Sequence, residues 1–293
     1  MLYRKIAAYI EDYLKSDEEK VLILKGARQI GKSFIVNEVA KRIYKNVITI
    51  NFVEDDEGDK VFKNVHKTED FYLNISMIAS DRMGTREDTL VFLDEIQHYP
   101  QYMTLLKFFK EEKRFRFIAS GSLLGVALNS TTSIPVGSVI IKDMYQLDFE
   151  EFLIANNVGA TFIADMREKF DAMEALSEEN HQYIMNMFRR YLLVGGLPDA
   201  VNEYLRSHNI AKVREVQDSI RILYRADAIK YEEENRKKLM VQKIYDMIPS
   251  QMESVKKESY SRISETRKGT GMITIGMSLN ILYLQGYHCQ SMP

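Results

Sequence analysis

The stretch VLILKGARQIGKSFIV, residues 21–36, decides the fold. An apolar run precedes Gly26, and four residues later Gly31, Lys32 and Ser33 follow one another. This spacing is typical of a phosphate-binding loop that joins a β-strand to an α-helix. The two glycines let the backbone bend so that successive N–H groups point at phosphate oxygens. The stretch therefore predicts a strand, an anion-binding loop and a helix, in that order.

The side chains of the loop indicate which anion it binds. Lys32 brings a flexible positive charge to the β- and γ-phosphates, which gives it a catalytic role, and the Ser33 hydroxyl suits Mg²⁺. We therefore expect ATP or ADP with Mg²⁺. The residues expected to contact the nucleotide here are Gly26, Gln29, Ile30, Gly31, Lys32, Ser33 and Phe34. The following helix is expected from Ser33 to about Tyr44, with Phe34, Ile35, Val39 and Ile43 on its buried side.

The composition fits a protein of the α/β class with one larger and one smaller domain. The chain has 293 residues, of which 45 % are apolar, so it can bury a substantial core. Its formal net charge of −2 argues neither for nor against a polyanionic partner, and its single cysteine fits a reducing compartment. No apolar run resembles a signal peptide or reaches the ~20 residues of a membrane span. We expect a cytoplasmic protein without membrane contact.

A second motif, TLVFLDEIQ, occupies residues 89–97. Its apolar run predicts a strand buried on both faces, as at the centre of a parallel sheet. The strand ends in Asp94 and Glu95, and two carboxylates at that position suit a metal and a water. Asp94 is expected to hold Mg²⁺, and Glu95 is expected to polarise the attacking water.

Small polar residues end the next predicted strand, RFRFIAS, at residues 114–120. In an ATPase with adjacent Asp and Glu, the neighbouring strand often ends in a polar residue that senses the γ-phosphate. Ser120 is the candidate and Ser122 the alternate, while turn-forming serines remain an open alternative. Gln97 is open in the same way, between sensing the phosphate and simple hydrogen bonding.

Periodicity divides the rest of the chain into a mixed part and a helical part. Helices are expected at 3–15, 68–82 and 101–113, the last with Leu105, Leu106, Phe108 and Phe109 facing inward, and strands are expected at 46–52 and 138–147. The acidic stretch 54–59 is expected to be a solvated loop, with a role near substrate or metal as the open alternative. After the strand at 138–147 helices dominate to about residue 260, beginning at DFEEF, where Asp148 and Glu151 form a capping-box pattern.

Six stretches in order resemble one known family: GARQIGKS, LVFLDEIQ, FIASGS, YQLDFEEFL, YLLVGGLPDAV and IPSQ. The family is the prokaryotic AAA-type ATPases whose C-terminal region is a domain of unknown function. The resemblance implies a three-layer P-loop core with a parallel sheet (1–147), a helical lid (148–215) and an incomplete winged-helix-like region (216–293). It also implies that Pro198 rests against the adenine. A helix-ending turn at Gly195–Pro198 is an equal alternative.

Two features depart from the family. Many relatives carry an arginine after the glycine where this chain has Gly137 and Ser138, so no arginine finger is carried over; Arg189, Arg190, Arg221 and Arg225 are untested substitutes. Residues 269–293 contain no Asp, Glu, Lys or Arg, although these make up 28 % of the chain. We expect this tail to be aberrant, a truncated or frameshifted remnant that replaces the later elements of relatives.

These observations predict an ATP-binding and ATP-hydrolysing AAA-type protein whose nucleotide state moves the lid and the C-terminal region. Two alternatives remain open at this stage, a nucleic-acid-associated ATPase and a nucleotide-occupied interaction module with negligible turnover. A small-molecule kinase is disfavoured, because Glu95 beside Asp94 suits activation of water. The partner, a protein or DNA, and any oligomeric state are open.

Overall fold

A five-stranded parallel sheet forms the centre of the protein. The computed structural model describes residues 1–79, 82–122, 137–230 and 234–253. The strands are β1 (Val21–Lys25), β2 (Asn46–Asn51), β3 (Thr89–Asp94), β4 (Arg116–Gly121) and β5 (Val139–Asp143). Their spatial order is β2-β3-β4-β1-β5, so β4 lies between the two strands that carry the motifs.

Helices cover the sheet and then continue alone. Those within the mixed part are α1 (Lys5–Lys15), α2 (Lys32–Ile43), α3 (Phe52–Glu57), α4 (Thr68–Ala79) and α5 (Gln101–Glu112). Those after the sheet are α6 (Phe149–Ala155), α7 (Ala160–Asp171), α8 (Glu178–Val194), α9 (Pro198–Ser207), α10 (Ile210–Lys230) and α11 (Asn235–Glu253). The expected α/β class is confirmed. None of the helices in the described ranges is long and apolar enough to cross a membrane.

The central strands are buried on both faces, as their uninterrupted apolar sequences predict. In β1, Val21 and Ile23 pack into the core under α4 and α5, whereas Leu22 and Leu24 pack into the core under α1 and α2. The first core contains stacked aromatic rings, with Phe109 and Phe117 parallel at 4.6 Å. Because both faces are covered, a ligand can reach the sheet at the carboxyl ends of its strands.

The strand register brings the motif residues together at the carboxyl ends of the central strands. Leu24 of β1 pairs with Ser120 of β4, and Leu93 of β3 pairs with Ala119. The phosphate loop after β1 and the acidic pair at the end of β3 therefore lie on either side of the end of β4. Residues separated by about 70 positions in the sequence become neighbours through this inserted strand.

Two aromatic side chains expected to be buried are exposed. Phe34 is 57 % exposed, because the first turn of α2 borders an open cleft instead of the core. The buried side of α2 is formed by Lys32, Ile35, Val36, Val39 and Ala40. Phe108 is 43 % exposed, because Leu105, Leu106 and Phe109 already fill the face of α5 that meets the sheet.

The acidic stretch expected to be a solvated loop is largely helical. Asn51 caps α3 by accepting a hydrogen bond from the Val53 N–H, and its side-chain amide donates to Glu54. Asp55 accepts a hydrogen bond from Tyr99, and Asp56 lies 3.1 Å from the His98 ring. These contacts fix the stretch against the turn that follows β3, so the carboxylates of Asp55 and Asp56 are structural.

The helical part has its own apolar core. Asp148 and Glu151 form the expected capping box at the start of α6, and Phe152, Val194 and Tyr204 pack beneath it. At Gly196 an added Cβ would lie 2.1 Å from the Leu147 carbonyl oxygen, so glycine is required there. Further along, α10 and α11 pack together, and Arg225 makes a two-pronged ion pair with Asp246.

Candidate nucleotide-binding site

A cleft of about 530 Å³ opens where the parallel strands end. One side consists of the phosphate loop and the start of α2, and the other consists of the first residues of the chain and of α9. The lining residues are Met1, Leu2, Arg4, Gln29, Gly31, Lys32, Ser33, Phe34, Ile35, Glu95, Pro198, Asp199 and Asn202. The cleft is thus shared between the sheet and the helical part.

The backbone of the loop has the conformation that its glycines predict. Gly31 has a φ of 89° and immediately precedes α2, while Gln29 has a φ of 59°, which is uncommon for a residue with a side chain. At Gly26 an added Cβ would lie 2.3 Å from the Met144 carbonyl oxygen. The loop therefore ends at a helix N-terminus whose free N–H groups favour an anion.

Lys32 is the positive charge inside the loop. Its side chain is buried, and its Nζ donates to the carbonyl oxygens of Gly26 and Ala27, at 3.0 and 2.8 Å. Burial lowers the pKa of Lys32, and the charges of Glu95 and Asp94 act against that lowering. Both acceptors are neutral carbonyl oxygens, so a phosphate beside the ammonium group would bring a negative charge into direct contact with it.

Three oxygen-bearing side chains meet between β1, β3 and β4. The hydroxyls of Ser33 and Ser120 donate to the two oxygens of the same carboxylate, that of Asp94. Hydroxyl and carboxylate oxygens are the hard ligands that Mg²⁺ prefers, so Ser33 and Asp94 fit a magnesium site completed by phosphate and water. No cluster of three or more His, Cys, Asp or Glu side chains able to hold a metal occurs within the described ranges.

Ser120 and Ser122 have different partners. Ser120 is fully buried, does not line the cleft and donates to Asp94. Ser122 donates to Glu95 at 2.9 Å. Ser122 also accepts a hydrogen bond from the Gln97 side chain at 3.2 Å, so each serine is bonded to one carboxylate of the pair and Ser122 to Gln97 as well.

Glu95 lines the cleft and is held at a fixed position. Its backbone has a φ of 54°, and its carboxylate accepts hydrogen bonds from the side chains of Gln97 and Ser122. Burial alone would raise the pKa of Glu95, but the Lys32 charge and these two donors outweigh burial and hold the pKa below its usual value. The carboxylate is therefore charged and oriented at neutral pH.

Pro198 lies across the cleft from the loop. It is the first residue of α9, and its Cγ is 3.9 Å from the position that a Cβ on Gly31 would occupy. It follows directly on the turn that ends α8 at Val194, as the helix-ending alternative expects, and it also lines the cleft.

Arg4 is a site residue that the sequence did not reveal. Its guanidinium is buried and donates to the Ile30 carbonyl oxygen at 2.9 Å, to Tyr145 and to the Glu151 carboxylate at 3.2 Å. One side chain therefore links the phosphate loop to the capping box of α6. Its partners lie 26 to 147 positions away, and no local pattern marks it.

The four arginines named as possible substitutes for an arginine finger do not line the cleft. Within the described part of the chain, the arginine that lines it is Arg4. The others contact their own helical neighbourhood: Arg189 with Asn186, Arg190 with Met187, Arg221 with Asp218 and Arg225 with Asp246.

Comparison with known families matches two parts of this chain. Residues 18–153 match an AAA domain, and residues 185–284 match a domain of unknown function, DUF8612. The second match includes residues 269–284, the first part of the uncharged tail, which lies outside the described residues. No curated protein matches the chain.

Similar solved structures exist at low sequence identity. The Walker-type ATPase paby2304 of Pyrococcus abyssi is 12 % identical with a TM-score of 0.60, over 97 % of this chain and 90 % of that one. DnaA of Aquifex aeolicus, solved with AMPPCP, is 12 % identical with a TM-score of 0.42, over 98 % and 91 % of the two chains. The first similarity supports the fold. The two domain matches show that this chain carries an AAA domain followed by a domain of unknown function.

Proposed function

We propose that the protein binds ATP with Mg²⁺ in the cleft and hydrolyses it to ADP and phosphate. The observation that carries the proposal is the convergence of Lys32, Ser33, Asp94 and Glu95 at one end of the cleft. A cation, a pair of hard oxygen ligands and an oriented carboxylate are the groups that phosphoryl transfer to water requires.

In the hydrolytic step, Glu95 acts as the general base. A water held by the Glu95 carboxylate attacks the γ-phosphorus as the bond between that phosphorus and the β–γ bridging oxygen breaks. The water proton passes to Glu95, and the leaving oxygen remains on ADP. Because its pKa is lowered, Glu95 is in the charged form that accepts a proton.

The phosphates are held by the loop and its cation. The N–H groups after Gly26 and at the start of α2 bind phosphate oxygens, and Lys32 turns toward the β- and γ-phosphates. Ser33 and Asp94 would hold Mg²⁺, which when bound supplies positive charge to the phosphate oxygens. Ser120, bonded to Asp94, keeps that carboxylate oriented.

In this proposal, the adenine ring of the nucleotide occupies the side of the cleft formed by Leu2, Pro198 and Asn202. Pro198 offers an apolar contact to the adenine ring. Because the cleft is shared, a nucleotide contacts the sheet and α9 together, and its phosphate state can change how the helical part sits on the sheet. This coupling to the lid and to the C-terminal region is the function we assign to hydrolysis.

The test is steady-state ADP formation by the full chain, with Mg²⁺ and with EDTA. We expect the parent to hydrolyse ATP only with Mg²⁺. Asp94→Asn should lower turnover, and with it both the dependence on Mg²⁺ and the affinity. Adding duplex DNA at two salt concentrations separates the nucleic-acid-associated alternative, because DNA binding weakens steeply with salt. Bound ADP without turnover would contradict the hydrolytic proposal and favour an interaction module.

A further inference from the structure

The carbonyl oxygens of the phosphate loop need hydrogen-bond donors where they are away from water. Lys32, which belongs to the loop, donates to the first two of them, those of Gly26 and Ala27. Two further loop carbonyl oxygens receive donors from distant parts of the chain, whereas that of Gly31 accepts from the Ile35 N–H of α2. Arg4 donates to Ile30, and the Tyr224 hydroxyl donates to Arg28 at 2.5 Å.

Helix α10 contacts Arg28 a second time. The Arg28 guanidinium donates to the Asp227 carboxylate at 2.6 Å, and the Asp227 side chain is only 9 % exposed. Tyr224 and Asp227 are three residues apart, so they lie on one face of α10. That face therefore holds both the backbone and the side chain of one loop residue. We call Tyr224 and Asp227 the anchor residues.

The Tyr224 hydroxyl keeps its proton, and therefore remains a donor, well above neutral pH. Burial raises the pKa of Tyr224 to about 12, and the nearby Tyr245 and Asp227 add to the effect. While the phenol keeps its proton, it can donate to the Arg28 carbonyl oxygen and hold that oxygen in place. The next residue, Gln29, has its left-handed backbone conformation immediately after this held carbonyl.

We propose that the anchor residues are positioning residues of the nucleotide site. They hold the phosphate loop in its anion-binding shape from outside, so α10 is part of the machinery that binds nucleotide. This inference rests on the proposed nucleotide binding. By thermodynamic linkage, a nucleotide that stabilises the loop also stabilises the contact between α10 and the loop.

The consequence extends from α10 to α11, which packs against it. Arg225, between the anchor residues, is ion-paired with Asp246, so α10 is tied to α11. Both helices lie within the matched domain of unknown function. A partner that separates α10 from the loop lowers nucleotide affinity, and bound nucleotide lowers the affinity for such a partner by the same factor.

The experiment compares two anchor variants with one matched control. Tyr224→Phe removes a neutral hydrogen-bond donor and keeps the ring, and Asp227→Asn removes the charge. We expect each to weaken MgADP and MgATP binding roughly three- to tenfold, in line with the loss of one hydrogen bond. KM should rise with kcat unchanged, because ground state and transition state lose the same contact. Arg225→Gln, which breaks the ion pair between α10 and α11, should bind as the parent does.

A second readout separates positioning from general destabilisation. In the parent, MgADP should slow hydrogen exchange of the α10 amides around residue 224, and Tyr224→Phe should lose much of that protection. Parent-like affinity in both anchor variants, a fall in kcat without a change in KM, or tighter binding by Asp227→Asn would overturn the inference. A parent that binds no nucleotide would instead overturn the proposed function, which calorimetry on the parent alone decides.

Discussion

The two sides of the cleft are built in different ways. The phosphate side, from Gly26 to Ser33 with Asp94 and Glu95, follows from short motifs at the ends of two strands. The opposite side, with Arg4 and Pro198, and the support of the loop by the anchor residues of α10 depend on contacts between residues up to 199 positions apart. The first side carries the chemistry. The second determines how the loop is supported and what its occupancy is coupled to.

The largest difference between the sides should appear in catalysis. Glu95→Gln keeps the shape of the carboxylate but cannot accept the proton, so we expect ATP turnover to fall by about two to four orders of magnitude with MgATP still bound. Single-turnover ADP formation measures this. Glu57→Gln, on the exposed end of α3, is the control and should match the parent. Parent-like turnover by Glu95→Gln would move the base to another residue.

The other side should reveal itself in stability. Arg4→Met leaves Glu151 as a buried charge without its guanidinium partner, and removal of one member of a buried pair costs about 3 to 5 kcal/mol. Urea unfolding of the full chain measures the loss. The double variant Arg4→Met, Glu151→Met should lose less than the sum of the single variants. An additive result would show that the two side chains act independently.

These contrasting sides also show what the sequence could predict. Asp94 and Glu95 were predictable because a buried strand that ends in two carboxylates is a local pattern. Arg4 was not, because its guanidinium meets Ile30, Tyr145 and Glu151 only after the chain has folded. The exposure of Phe34 was missed for a related reason, since helical periodicity marks an apolar face without showing that its first turn borders a cleft.

The short helix α3 is a different kind of miss. Asn51 and Glu54 have the spacing of a helix N-terminus, and in the structure Asn51 caps α3 and bonds to Glu54. That signal was present in the sequence, but the acidic composition of 54–59 favoured a loop. The serines at the end of β4 were located correctly at a strand end, whereas their partners required the register of three strands.

A smaller effect concerns the junction between the two sides. Asp148 caps α6, and Asp148→Ala should lower the free energy of unfolding by about 1 kcal/mol, because the Glu151 N–H loses its acceptor. Asp148→Asn keeps an acceptor in the same position and should be close to the parent in the same urea titration. Equal losses in both variants would assign the effect to the charge of Asp148 and not to the cap.

The smallest expected effect is a shift in pH dependence. Ser122→Ala removes a donor to the Glu95 carboxylate, so the lowered pKa of Glu95 should move upward. Glu95 accepts a proton only when ionised, and the acid limb of the kcat profile should therefore move to higher pH. Ser76→Ala, on the exposed side of α4, should leave the profile unchanged. A shift to lower pH would contradict the assigned hydrogen bond.

The central claim is that the loop at residues 26–33 is where the protein binds nucleotide phosphates. Calorimetric titration of MgATP into the parent, Lys32→Ala and Lys41→Ala tests it, since Lys41 is an exposed lysine of the same helix. A charge-assisted phosphate contact contributes about 1.5 to 3 kcal/mol, so Lys32→Ala should bind roughly 10- to 150-fold more weakly and Lys41→Ala like the parent. Unchanged affinity in a folded Lys32→Ala protein would contradict the account.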